Sequence, residues 1–271
     1  MTKRFTFPLI ASLVLLFVGV TSCEDEDNVH LLGNWRRSSF DFPGVPRGGA
    51  VVFTIDNVAY IGTGANTEKT EEKERFNDFY SVSVSEDKKS LSWSPKWDRT
   101  AEGVTSLPEA ALKRNGGVGF SINGKGYVGL GFSGHHFLRD FWEFDPNGTP
   151  DPDDYPSMVD SLKGKFTNTG SWKRIADYPG DSCRYAVSFV IDNVAYVGTG
   201  EDYDNNILKD FYKFDGKSWT PIASIGIARS QATAFVITDP KDGQKYGYVF
   251  GGNNSGATEF FERYNPRTNS W

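Results

Sequence analysis

Ile55-Asp56-Asn57-Val58-Ala59-Tyr60 returns almost letter for letter as Ile191-Asp192-Asn193-Val194-Ala195-Tyr196, and Ile122-Asn123-Gly124-Lys125-Gly126-Tyr127 is a close variant of both. Each tyrosine opens the same glycine pattern: Tyr60-Ile61-Gly62-Thr63-Gly64, Tyr127-Val128-Gly129-Leu130-Gly131 and Tyr196-Val197-Gly198-Thr199-Gly200. A fourth version reads Tyr248-Val249-Phe250-Gly251-Gly252. The tyrosines lie 67, 69 and 52 residues apart. Self-similarity at such periods marks an array of like units, a solenoid or a propeller.

The third unit shows what one repeat contains. Tyr185 to Ile191 is a β-branched and aromatic run, Asp192-Asn193 is a two-residue turn, and Val194 to Val197 is a second strand. Such turns favour Asn-Gly and Asp-Gly because both central residues need positive φ. Asn123-Gly124 meets that demand well and Asp192-Asn193 tolerably. After Gly200 and a polar loop, Asp210 to Asp215 reads as a third strand, and a fourth opens at Trp219. Four short antiparallel strands per repeat, with glycine where inner strands crowd, is the blade of a β-propeller.

The order of a first strand, a Tyr-led strand ending in Gly, an Asp-aromatic-aromatic strand and then Trp resembles the kelch repeat. Leu138-Arg139-Asp140-Phe141-Trp142-Glu143-Phe144-Asp145-Pro146 matches in the second unit, and Tyr264 precedes Trp271 with six residues between. The resemblance covers residues 35–271 and implies an all-β, kelch-type β-propeller with four recognisable four-stranded blades. It speaks to fold and little to function, since kelch propellers serve as enzymes, adaptors and scaffolds. Three departures stand out. Only Gly251-Gly252 shows the double glycine of the family, the first unit has Val82-Ser83 where an aromatic-Asp pair is usual, and Asn147 to Gly170 is a long insertion.

Kelch propellers usually carry about six or seven blades, and propellers in general about four to eight. Trp35, Trp93 or Trp97, Trp172, Trp219 and Trp271 supply five fourth-strand markers for four units. If the Trp35 strand closed the ring, the last unit would lack its own Trp, yet it ends on Trp271. The expectation is an incomplete ring, a fragment of a larger propeller, with a complete four-bladed ring as the alternative.

Ahead of the repeats, Lys3 and Arg4 precede the apolar run Phe5 to Val20, and Val20-Thr21-Ser22 places small residues before Cys23. This is a secretory signal in outline, and Val-Thr-Ser-Cys resembles the lipobox of bacterial lipoproteins. The resemblance implies a signal peptide over 1–22 and acylation at Cys23, which would tie the chain to the outer membrane. The alternative is a membrane-spanning anchor, for which the run is short against the ~20 apolar residues required. Residues 23–34 form an acidic tether. Glu24-Asp25-Glu26-Asp27 resembles the surface-export signal of Bacteroidetes-type lipoproteins, or is a plain solvated linker.

Without residues 1–22, and so without Lys3 and Arg4, the net charge moves from −6 to about −8 with no basic run, which argues against nucleic acid as a partner. Only Cys183 remains besides the proposed lipid site, so no internal disulfide can form, and it reads as a small buried hydrophobe. Aromatic residues make up 15% of the chain and helical periodicity is nearly absent, with residues 108–114 and 156–164 the only hints of a helical turn.

An arginine stands before each first strand: Arg47, Arg114, Arg184 and Arg229, at 6, 6, 5 and 6 residues from Phe53, Phe120, Phe189 and Phe235. Equivalent positions in a propeller lie on a circle, so these guanidiniums are candidates for a shared ligand pocket suited to carboxylates and sugar oxygens. The architectural reading, that each bonds backbone carbonyls beside it, is the stronger of the two. His135-His136 project to opposite sides of an extended segment and cannot easily share a metal. A copper centre like that of galactose oxidase, which is similar in fold, needs more histidines and a Cys–Tyr pair. The carboxylates of Asp151-Pro152-Asp153-Asp154 lack calcium-loop spacing. No catalytic constellation, metal site or cofactor motif is visible.

These observations favour a non-catalytic binding module or scaffold on the cell envelope, engaging a glycan or protein partner through propeller loops. Trp142, Tyr155, Trp172 and Tyr203 are candidates for stacking on sugar rings. The alternative is an enzyme resembling the kelch mutarotases that handle sialic acids, with Arg184 and Arg229 on the sugar carboxylate. For the anchor, metabolic labelling with an alkyne fatty acid should mark the wild-type chain, and Cys23→Ser should abolish the label.

Overall fold

Residues 41–66, 74–85, 90–94, 106–155 and 170–271 are described by a computed structural model of the chain. The proposed signal peptide, Cys23, the tether, Trp35, Trp97 and the helical hint at 156–164 lie outside the described residues. The hint at 108–114 is a tight turn with no helix, and the described part of the insertion holds one 3-10 turn, Pro152–Asp154.

Hydrophobic alternation sets the strands. Val51–Ile55 (β1) buries every second side chain, as do its counterparts Val118–Ile122 (β7) and Val187–Ile191 (β11). The first blade contains β1, Val58–Gly62 (β2), Phe79–Val84 (β5) and Leu91–Ser94 (β6). A small side hairpin, Ala65–Asn66 (β3) with Glu74–Arg75 (β4), branches from it. The second blade contains β7, Lys125–Gly129 (β8), Phe141–Asp145 (β9) and Ser171–Ile175 (β10). The third contains β11, Val194–Gly198 (β12), Phe211–Phe214 (β13) and Trp219–Pro221 (β14). Strands follow one another from inside to outside and every pairing is antiparallel. The inner hairpins turn as their sequences require, with Asn123 and Gly124 at φ 51° and 73° and Asp192 and Asn193 at 49° and 59°.

The fourth blade departs from the four-stranded expectation. Among the described residues it has three strands, Thr233–Thr238 (β15), Lys245–Phe250 (β16) and Phe261–Tyr264 (β17). Trp271 occupies the fourth-strand tryptophan position without a strand to carry it, and its indole donates to the Ala223 carbonyl at 2.8 Å. The molecule is an all-β, four-bladed kelch-type propeller.

The blades are joined by a repeated aromatic seam. Phe53 stacks on Tyr60 within the first blade, and the second blade lays Phe144 on Tyr60 and Trp172 on Phe79, at centroid distances of 5.0 and 5.1 Å. The next seam puts Phe214 on Tyr127 at 5.4 Å and Trp219 on Phe141 at 4.9 Å. The third puts Tyr264 on Tyr196 at 5.3 Å and Trp271 on Phe211 at 4.8 Å. Each seam also needs a hole. A Cβ on Gly126 would lie 2.1 Å from the Phe53 ring, and one on Gly247 would lie 2.2 Å from Phe189. Only the smallest side chains fit there, and the third blade uses Ala195 at this register position.

Backbone hydrogen bonds run from blade to blade beside these seams. Near the axis, Gly116 N–H donates to Gly49 O, Tyr185 N–H to Gly116 O and Gln231 N–H to Tyr185 O, at 2.7–3.0 Å. A second series links Gly64 to Arg114 O, Gly131 to Cys183 O and Gly200 to Arg229 O.

Filling the hole should open the seam. Gly126→Val should cost about 3 kcal/mol in denaturant unfolding, the range for overpacking a closed core. Gly48→Ala, whose added Cβ meets nothing within 4 Å, should leave the midpoint unchanged.

Candidate functional site

The arginines before the inner strands fall into two structural classes. Arg47, Arg114 and Arg229 are buried and share one bonding pattern. Nε donates to the carbonyl two residues back: Val45 at 3.0 Å, Leu112 at 3.1 Å and Ile227 at 3.1 Å. Nη1 donates to the carbonyl of the middle residue of the glycine pattern, Thr63 at 3.1 Å and Leu130 at 3.4 Å; for Arg229 the main acceptor is Phe260 at 2.9 Å. The fork then pairs with a carboxylate of the third strand region, Asp78, Asp140 or Glu262. Arg114 is bidentate to Asp140, with both contacts at 2.8 Å. The donors of these three guanidiniums are thus taken up inside their own blades.

That arrangement explains the glycine pattern. The middle residue is left-handed in every blade: Thr63 at φ 58°, Leu130 at 58°, Thr199 at 64° and Gly251 at 65°. Only Gly251 adopts this without steric cost. In the first two blades the arginine fork grips the carbonyl of the strained corner and holds it in place.

Arg184 belongs elsewhere. The β-bridges pair Gly48 with Ala65, Asn115 with Phe132, Arg184 with Glu201 and Ser230 with Asn253, so Arg184 is the counterpart of Asn115. The position of the buried arginines is filled in the third blade by Cys183, whose Sγ lies 3.9 Å from the Thr199 carbonyl. This accounts for the spacing of 5 rather than 6 residues to Phe189. Burial pushes the Cys183 thiol up to about 12, so it stays protonated and inert.

Freed from the corner, Arg184 turns toward the loops and meets residues of two other blades. Its Nε and Nη2 contact Glu201 Oε1 at 2.7 and 2.6 Å, and Ser230 Oγ lies 3.3 Å from Oε2 of the same carboxylate. Its guanidinium carbon lies 5.4 Å from the Phe132 ring centre, 5.3 Å from Phe137 and 5.0 Å from Tyr185. Arg75, from the side hairpin of the first blade, lies 4.8 Å from the same Phe132 ring, and its Nε donates to Asn115 Oδ1 at 2.8 Å. Partial burial and then the Arg184 charge draw the Arg75 pKa below its usual value. Two cations from the first and third blades therefore converge on one aromatic ring of the second.

The backbone here is strained as well. Tyr185 and Gln231 are left-handed, at φ 59° and 56°, where the first two blades have Gly49 and Gly116. Strain at non-glycine residues clusters at ligand sites when surrounding structure enforces it. At Tyr185 the N–H bond to Gly116 and the ring packed over Gly116 do so.

The sequence singled out Arg184 but missed Arg75 and Phe132. Nothing in the local pattern of Arg75 marks it, because its place depends on a hairpin folding back across a blade boundary. Of the proposed stacking aromatics, Trp142 and Trp172 are buried in the seam and Tyr155 is buried with its hydroxyl on Ser106 O at 2.8 Å. Trp172 and Tyr155 have no ring face left for a ligand. Tyr203 is 69% exposed and stands edge-on to Phe137 at 5.7 Å. His135 and His136 lie exposed on the same loop, and among the described residues no three His, Cys, Asp or Glu side chains gather in metal-binding geometry. On the other side of Phe137 a cleft of about 320 Å³ is lined by Leu112, Trp142, Arg139, Arg174 and Asp177, with both arginines in contact with Asp177.

No protein-family model matches the chain, and no curated protein matches it. Among solved structures it is similar to YjhT, a kelch-type propeller, with a TM-score of 0.53 and 17% identity. The match covers 78% of this chain and 60% of that one, so the chain spans about three-fifths of the length of the structure it resembles. At that identity the likeness shows the fold.

The two classes of arginine should respond differently to substitution. Arg114→Met leaves the Asp140 carboxylate mostly buried and uncompensated and should cost about 3 kcal/mol, the low end for a broken buried pair. Arg184→Gln should cost less than about 1 kcal/mol, as for a partly exposed pair. Burial raises the Asp140 pKa, but the Arg114 hydrogen bonds and charge and the Trp142 indole outweigh it and leave the carboxyl below its usual value. A depressed carboxyl stabilises above its unfolded pKa and loses that contribution as pH falls through the folded one. Urea titrations should therefore show wild type losing stability below about pH 4, with that part of the acid dependence reduced in Arg114→Met.

Proposed function

We propose that the protein is an envelope-anchored, non-catalytic binding module that takes a carboxylate-bearing sugar on its loop face. The observation that carries this reading is the convergence of Arg75 and Arg184 on Phe132. A guanidinium presents a planar fork matched to a carboxylate, and a partly buried setting strengthens the pairing relative to water. Phe137 and the exposed ring of Tyr203 continue the apolar surface beside the cations, giving a sugar ring a face to stack on. Asn115, Ser230 and Glu201 add neutral and acidic partners for hydroxyl groups.

The anchor at Cys23 belongs to the same proposal. It would tie the blades to the outer membrane. Glu201 is engaged by Arg184 and Ser230, an arrangement that orients the arginine rather than leaving a free general base. This favours binding over the mutarotase alternative.

Calorimetric titration with glucuronic acid, with glucose as the neutral control, tests the reading. Wild type should bind the acid saturably and glucose at least tenfold more weakly. Arg75→Gln and Arg184→Gln should each weaken glucuronate by about tenfold or more, the worth of one charge-assisted contact. Equal affinity for the two sugars, or variants indistinguishable from wild type, would sink the proposal. Accelerated anomer exchange by NMR would replace it with the enzymatic reading.

A further inference from the structure

An aromatic contact that recurs at the loop end of the first and third blades is missing from the second. Tyr80, Trp142 and Tyr212 are counterparts, each the second residue of its third strand. Each lies opposite an aliphatic residue of the second strand, Ile61, Val128 or Val197. The segment entering the first blade lays Phe42 edge-on against Tyr80 at 4.9 Å, and the segment entering the third lays Tyr178 edge-on against Tyr212 at 5.0 Å. Trp142 meets no such ring among the described residues, and its indole N–H donates to Asp140 Oδ2 at 2.6 Å.

One residue of the entering segment accounts for the difference. Leu107, Tyr178 and Ile225 each donate a backbone N–H to the residue before a third-strand aspartate, at the carbonyls of Asn77, Arg139 and Lys209. Leu107 therefore holds the place of Tyr178, and its fully buried side chain brings no ring to Trp142. The cleft of about 320 Å³ opens at this point, with Trp142 at its floor and Ala110, Leu112 and Phe137 around it. Its volume is at the small end of the range of ligand pockets, about 300–1,000 Å³. Leu112, at the rim, is 48% exposed.

The charged groups of the cleft do not balance. Asp140 is committed to Arg114 and to the Trp142 indole. Arg139, from the connection into β9, and Arg174, from β10, then share the single carboxylate of Asp177. Arg174 Nη2 donates to it at 2.9 Å, whereas Arg139 Nε stands 3.8 Å away, beyond hydrogen-bond range. Both arginine side chains are more than half exposed. One unit of positive charge and an unfilled guanidinium fork thus stand at the mouth of an apolar cleft.

We propose that this cleft is a second binding site, separate from the Arg75 and Arg184 site, for a small aromatic carboxylate. The ring of the ligand takes the place beside Trp142 that Phe42 and Tyr178 take beside Tyr80 and Tyr212. Its carboxylate lies on the outward forks of Arg139 and Arg174, a planar match that a neutral group cannot supply. The two sites lie on opposite sides of Phe137 and share no cation.

Ligand-observed NMR titration of the chain with phenylacetate, and with benzyl alcohol as the neutral control, tests the inference. Wild type should bind phenylacetate saturably in the low-millimolar range, on the order expected for about ten non-hydrogen atoms. Benzyl alcohol should bind about fivefold more weakly or less, and Arg139→Gln and Arg174→Gln should each cost phenylacetate a similar factor, the worth of one charge-assisted contact. Ala110→Phe, which sets a ring in the slot from an exposed position, should abolish saturable binding, and Arg184→Gln should leave it unchanged. The two cleft arginines are surface residues, so their variants decide the matter even where Ala110→Phe lowers the unfolding midpoint. No saturation by about 20 mM phenylacetate overturns the proposal, as does equal affinity for the alcohol. Loss of binding in Arg184→Gln with Arg139→Gln unaffected would put the carboxylate beside Phe132, which overturns this site while supporting the first.

Discussion

A phenylalanine pressed into a hole is the contact on which the rest of this propeller depends. Phe53 lies where a Cβ on Gly126 would be, and Phe189 where a Cβ on Gly247 would be. Each ring is then closed over by an aromatic and a tryptophan from the following blade. Burying one such ring contributes about 2 kcal/mol, and its edge-on and tilted contacts add to that. Small residue, ring and tryptophan come from different strands, so the seam forms only when two whole blades are in place. Four sheets become one structure by repeating that condition.

The arginine corner serves the seam. Where the second strand of each blade ends, the chain must turn through left-handed geometry so that Gly64, Gly131 and Gly200 can donate across to the next blade. Three blades put a non-glycine residue at the preceding, equally left-handed position. A buried guanidinium bound to a carboxylate holds that corner in the first two blades. The third blade has Cys183 instead, and the adjacent Arg184 is released to the loop face. A substitution within an architectural set is thereby linked to the appearance of a cationic group beside Phe132. The proposed binding site depends on the one blade that breaks the pattern.

Much of this was legible in the chain. The Tyr-Xaa-Gly-Xaa-Gly series, the Asp-Asn and Asn-Gly turns and the recurring tryptophans mark strands and blades because their reasons are local: alternation, positive φ and period. The last blade was expected to have four strands, and among the described residues it has three, with Trp271 placed by its indole bond to the Ala223 carbonyl. Three of four aromatics expected on the surface are buried. A tryptophan near a loop in sequence can still be the lid of a seam, and only packing between blades reveals which it is.

The sequence by itself determined the repeat, the strand order within a blade and the all-β propeller, because these follow from periodicities a chain carries in its own spacing. Tertiary structure alone decided which arginines are buried in the blade corners and which turns to the loop face. Arg114 and Arg184 look alike in a list of equivalent positions, but a one-residue shift in bridge register turns one inward and the other outward. It also decided that Arg75 and Phe132 share a site with Arg184, since they come from different blades and meet only after the seams have formed. Contacts between blades are long-range, and no local pattern encodes them.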